Sequence, residues 1–118
     1  GRCFGVAPIP KDHWLVGEGA VLFIVSGRDK ADGMAGRLEH RLQHRAYYSG
    51  LDEDLILAGP YLDADGEPIG SMIVMRAESQ EAAEKFAFAD PYWTQGVFES
   101  LTVSRWDWFM KRPDGLSG

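Results

Sequence analysis

Short apolar runs alternate along this chain with segments of helical spacing. Residues Ala20 to Ser26 (AVLFIVS) are rich in Val, Ile and Phe and are closed by Gly27, which reads as a buried strand. Its two faces, Ala20/Leu22/Ile24 and Val21/Phe23/Val25, are both apolar, so both should be covered. After a polar connection from Gly27 to Gly33, the segment Met34 to Ser49 is helical. Met34, Leu38 and Leu42 recur every four residues, and Gly50 stands where a helix ends. At about 100° per residue, Leu38, Leu42, Arg45 and Tyr48 centre its inward face, with His44 at the margin and His40 further toward solvent. Asp54 to Ala58 reads as a second strand, Gly59-Pro60 and Asp63-Ala64-Asp65-Gly66 as turn chemistry, and Ile69 to Met75 as a third strand. Ser79 is placed to cap a second helix with Glu81 in its first turn. Ala82, Ala83, Phe86 and Ala87 make a small-residue face on it, and Asp90-Pro91 stops it. Ser100 to Phe109 alternates as a fourth strand.

The order β-α-β-β-α-β is that of an α+β, ferredoxin-like fold: a four-stranded antiparallel sheet with two helices on one face. The domain spans residues 20–110, preceded by an irregular arm (1–19) rich in Gly and Pro and followed by a polar tail (111–118). Two helices cover one sheet face only. Strand one is apolar on both sides, and strand three has Ile69, Ile73 and Met75 on one face and Met72 and Val74 on the other. In strand four Trp106 and Trp108 lie with Thr102 and Ser104, opposite Leu101 and Val103, so the uncovered sheet face is too apolar to stay wet. A homodimer formed through these sheet faces would cover it. The arm or the tail folding over it is the alternative.

Charge narrows the partners. A formal net charge of -6 over 118 residues provides no basic footprint for nucleic acid. No run approaches the roughly 20 apolar residues of a membrane span, and the expected location is cytoplasmic. The single cysteine, Cys3, excludes an internal disulfide and any multi-cysteine metal site. No phosphate-binding glycine loop appears, so no nucleotide cofactor is expected. Asp63, Asp65 and Gly66 lack the later Glu of a calcium loop, and the Asp52-Glu53-Asp54 run reads as a solvated turn.

Five short motifs then stand in order: His44 in RLQHRAYY, Gly59-Pro60 in LAGP, Gly70-Ser71 in PIGS, Asp90-Pro91-Tyr92, and Gly96 before ESLTV. With this spacing the stretch from Val21 to Phe109 resembles the YCII-related (YciI-like) family. The resemblance implies a dimeric α/β barrel with two sheets packed face to face, and a pocket near the helix-one His and the Asp before Pro. One branch of that family includes a dehydrochlorinase acting on a chlorinated hydroxyquinol, and most members have no established reaction.

The residues themselves allow this chemistry. A histidine can both take and give a proton near neutral pH, and a carboxylate can fix its tautomer, which makes His44 and Asp90 the catalytic candidates. Each has a plainer reading: His44 as a half-buried helix residue with a satisfied hydrogen bond, Asp90 as the acceptor of a local turn bond. His40 and His44, four apart, could share a metal, but the wheel turns them apart and no cysteine joins them, so no metal is expected. Ser71 lacks a nucleophile elbow and would bind rather than attack. Tyr92, Trp93 and Phe98 would wall an aromatic pocket or simply fill the core. Substrate-binding candidates are thus Ser71, Tyr92, Gly59, Pro60 and Phe98. Two functions fit: a cofactor-free enzyme using the His–Asp pair for elimination or isomerisation of a small aromatic or ring-derived molecule, or a non-catalytic small-molecule-binding or accessory module.

Overall fold

The computed structural model describes residues 21–114. The expected arm, with Cys3 and His13, and the last four residues of the tail lie outside the described residues. The elements run β1 (Val21–Asp29), α1 (Met34–Ser49), a 3-10 turn (Asp52–Asp54), β2 (Leu55–Leu62), β3 (Pro68–Ala77), α2 (Gln80–Ala87), α3 (Pro91–Thr94) and β4 (Phe98–Trp106). The strands form one sheet in the order β2-β3-β1-β4, every neighbour antiparallel. This is the expected α+β, ferredoxin-like arrangement, with the short α3 added between α2 and β4.

Register sorts the side chains. Val25 lies opposite Ile73 on one side and Val103 on the other, and Phe23 lies opposite Met75, so these residues line the helix-covered face. Together with Leu101, Ala83, Ala87 and Tyr92 they form the core. Burying each large member contributes about 1.5–3 kcal/mol. Leu22, Ile24, Met72, Val74 and Trp106 share the opposite face, as alternation requires. Trp108 stands 5.7 Å from Trp106, centroid to centroid.

Several expectations need correction, among them the expected fourth strand to Phe109, which ends at Trp106. Gly59-Pro60 is not a turn: β2 runs through it to Leu62, and Pro60 lies opposite Ser71. A proline is tolerated there because β2 is an edge strand and needs no donor on its outer side. The turn comes at Asp63–Glu67, where the Asp63 carboxylate accepts the N–H groups of Asp65 and Glu67. The acidic run is not wholly solvated, since Asp54 is buried and faces Arg76 at 3.4 Å. The buried stripe of α1 is also displaced by one position. Arg37 and Tyr48 are buried with Arg41 and His44 partly so, whereas Leu38 and Leu42 are 55% and 77% exposed. Both stripes have helical spacing. Arg37 wins because β1 ends in a buried carboxylate that draws it inward.

Strand β1 continues past Gly27 because that glycine makes room for a neighbour. A Cβ there would sit 2.6 Å from the Phe98 ring. Gly27→Ala should therefore cost about 1–3 kcal/mol in denaturant unfolding, whereas Gly59→Ala, with nothing within 4 Å of the added carbon, should stay within about 0.5 kcal/mol.

The hydroxyl of Tyr47 donates to the Phe86 carbonyl at 2.8 Å, and burial, with the charge of Asp90, pushes its pKa up to about 12. A raised pKa means that stability is fully present below about pH 10 and is lost as pH rises through about 12. Alkaline unfolding followed by circular dichroism should show that fall, and Tyr47→Phe should flatten part of it while lowering neutral-pH stability by about 1 kcal/mol.

Candidate functional site

Asp90 ends the loop after α2 and caps α3. Its backbone is extended, Pro91 follows at the first helical position, and its Oδ1 accepts the Tyr92 N–H at 3.1 Å. The same carboxylate reaches across to α1, where His44 Nδ1 lies 2.8 Å from Oδ1 and 3.0 Å from Oδ2. Asp90 is only 1% exposed, so this buried acceptor is met by two donors from different elements. An ionised carboxylate can only accept, so it selects the tautomer with the proton on Nδ1, and in the neutral imidazole this leaves the lone pair on Nε2. The plain and the chemical readings of Asp90 are therefore compatible: it caps a helix and orients a histidine.

Tyr92 sets the plane of that histidine. The two rings stack at 3.9 Å and 8°, and Tyr48 meets His44 edge-on at 5.3 Å. Tyr92 is itself fixed by donating its hydroxyl to the Arg37 carbonyl at 3.1 Å and by the edge of Phe98 at 5.6 Å. Burial raises the Tyr92 pKa against the opposing pull of Arg37, Arg41 and Arg45, so the phenol stays protonated and keeps that bond.

Arg37 forms a second buried knot. It donates Nε and Nη2 to the two oxygens of Asp29 at 2.7 and 2.8 Å, and Nη2 also reaches Ser71 Oγ at 3.0 Å. Burial works against its charge, but the Asp29 carboxylate outweighs that and raises its pKa further. Since Ser71 Oγ is the acceptor from Arg37, its own O–H remains available to donate.

Between α1 and the β2–β3 half of the sheet these groups enclose a cleft of about 260 Å3. Arg37, Arg41, His44 and Arg45 line one side, Ala58, Gly59, Pro60, Ser71 and Ile73 the other, with Tyr92 among the walls. It exists because α1 packs mainly on α3, not flat on the sheet. Of the residues expected from sequence, His44, Ser71, Tyr92, Gly59 and Pro60 line this cleft, and Asp90 stands behind His44. Phe98 does not line it. Its ring is buried behind Tyr92, over Gly27. Trp93 meets Phe88 at 5.1 Å instead. His40 contacts Gln43 and Glu39 at the surface, turned away from His44. Among the described residues no group of three or more His, Cys, Asp or Glu is placed to hold a metal, and no helix is long and apolar enough to cross a membrane.

Sequence reasoning missed Asp29, Arg37 and Arg41 as site residues, and placed Arg45 on the inward face without a role. A signal was present: arginines at 37, 41 and 45 recur once per turn beside His44. It was outweighed by the leucines at 38 and 42.

Comparison with known proteins agrees with this architecture. Residues 21–107 match the family described as the YCII-related domain. The protein YciI of Escherichia coli O6:H1 is 35% identical over 91 residues, covering 70% of this chain and 93% of YciI. Among solved structures, 5-chloro-2-hydroxyhydroquinone dehydrochlorinase (TftG) from Burkholderia phenoliruptrix AC1100, in complex with 2,5-dihydroxybenzoquinone, is 30% identical with a TM-score of 0.68, covering 73% of this chain and 93% of TftG. The protein Atu4242 from Agrobacterium tumefaciens shares the fold alone, at 14% identity and a TM-score of 0.50 over 79% of this chain and 97% of its own. With the family match spanning most of its length, and with its sheet order and helix positions as described, this chain belongs to the YCII-related family.

Proposed function

We propose that this protein is a cofactor-free enzyme in which His44, oriented by Asp90, performs acid–base chemistry on a small aromatic or ring-derived molecule. The observation that carries this reading is the contact of His44 Nδ1 with both oxygens of a buried carboxylate, on a histidine whose ring borders a cleft. Nε2 would accept a proton from a ring carbon. In an elimination the electrons of that C–H bond form the new double bond and a halide leaves with its own electron pair. In an isomerisation the proton returns at another carbon. Asp90 would stabilise the imidazolium formed in either case. The cleft is smaller than the roughly 300–1,000 Å3 usual for drug-sized ligands, which suits a single substituted ring. Similarity to TftG supports the reading, since that neighbour is a dehydrochlorinase held with a six-membered ring compound.

The same proposal includes a homodimer. Ile24, Met72 and Trp106 on the helix-free face remain partly exposed in one chain, and a second copy's sheet would cover them. The alternative of a binding or accessory module has one observation in its favour: helix capping already accounts for the burial of Asp90.

Chloride release from 5-chloro-2-hydroxyhydroquinone is the first assay. His44→Ala should lower turnover by about 10²-fold or more. Asp90→Asn should keep the cap and the fold but lose activity through the wrong histidine tautomer, whereas Asp90→Ala should lose both. Normal turnover by His44→Ala would end the enzyme reading, and ring ligands that bind without being converted would favour the module. In sedimentation equilibrium the protein should weigh twice its 13.1 kDa chain mass, and Trp106→Glu should shift it toward the monomer. A monomeric parent protein would refute the dimer.

A further inference from the structure

The cleft has more positive charge than its own structure consumes. Four cationic or protonatable groups border it: Arg37, Arg41, His44 and Arg45. Two are matched from behind, Arg37 by Asp29 and His44 by Asp90. Among the described residues Arg41 and Arg45 make no ion pair and no hydrogen bond. Arg45 is exposed at the rim, where water can solvate it, but Arg41 is half-buried, one turn beyond Arg37 and one turn before His44 and Arg45. A partly desolvated guanidinium without a carboxylate is costly, and an incoming anion relieves that cost. The surplus is local, because the whole chain carries a net charge of -6.

We infer that the cleft takes its substrate as an anion, a ring bearing an ionised oxygen, and that Arg41 is the residue that holds this charge beside His44. The inference rests on the acid–base reading only for where the chemistry occurs. A guanidinium offers two parallel N–H donors to a carboxylate, and one or two to the oxygen of a phenolate or enolate. The Ser71 O–H, left free by its bond from Arg37, gives a second donor across the cleft. Ala58, Pro60 and Ile73 provide apolar wall for the ring between them. A cleft of about 260 Å3 is of a size to take one ring. The arrangement also serves the proposed reaction. In the isomerisation, removing a proton from an sp3 ring carbon next to a carbonyl turns that carbonyl into an enolate, and a fixed guanidinium at its oxygen stabilises the charge as it develops.

The test is calorimetric titration of the full chain with benzoate, with its uncharged isostere benzamide, and with 2,5-dihydroxybenzoquinone, which is ionised at neutral pH. At least one anion should bind about tenfold or more tighter than benzamide, as expected for charge-assisted hydrogen bonds, and its affinity should fall with added salt. Preference for benzoate identifies a carboxylate substrate, and preference for the quinone a ring oxyanion. Arg41→Gln should abolish the discrimination, Arg41→Lys should retain part of it, and Arg105→Gln, an exposed position on β4, should leave it unchanged. Equal binding of benzamide, full discrimination by Arg41→Gln, or no binding of any probe at millimolar concentration would overturn the inference. His44→Gln separates the two proposals. Anion preference without turnover in the parent protein removes the enzyme reading alone, whereas His44-dependent turnover without anion preference removes this one alone.

Discussion

Much of this structure depends on one buried carboxylate. Asp90 is shut away from water and must find donors within the protein. It takes one from the first turn of α3 and one from His44 on α1, and so ties two helices that are far apart in sequence. That tie, with the stacked Tyr92 ring between the helices, makes α1 lean on α3. The space left between α1 and the β2–β3 edge is the cleft. Removing either donor would leave a charged acceptor partly unsatisfied, so the same contact bears on fold integrity and on the proposed chemistry.

The second constraint is the Arg37–Asp29 pair. Both side chains are buried, and Ser71 and the Tyr92 ring enclose the guanidinium further. A pair like this stabilises little against an apolar alternative, yet breaking it is expensive. It decides how α1 is rotated, and rotation is what brings Arg41 and His44 to the cleft and sends Leu38 and Leu42 outward. Close backbone approaches complete the frame: Gly27 admits the Phe98 ring that backs Tyr92, and Gly70 passes against the Gly27 carbonyl.

Much of the fold was legible in the sequence. The strands of β1, β3 and β4, both main helices, the Ser79 cap and the sorting of β4 between two faces follow from alternation, helical spacing and cap chemistry. The extent of β2 was not legible, because a Gly-Pro pair has the same local preferences in a turn as on an edge strand, and only the neighbour on one side tells them apart. The site was legible in part. His44, Asp90, Ser71 and Tyr92 stand in motifs that resemble a family, whereas Arg37 and Arg41 stand in a periodic pattern that competes with an equally periodic pair of leucines.

The sequence by itself determined which segments are strands and helices, because side-chain periodicity and backbone propensity act over a few residues. It also determined that the chain carries a histidine and a carboxylate able to pair. The tertiary structure alone decided that they do pair, 46 positions apart. It also decided which stripe of α1 faces inward and that Phe98 supports the cleft's wall from behind. Those outcomes follow from where buried charges find partners across the fold, and no local window of residues contains both members of such a pair.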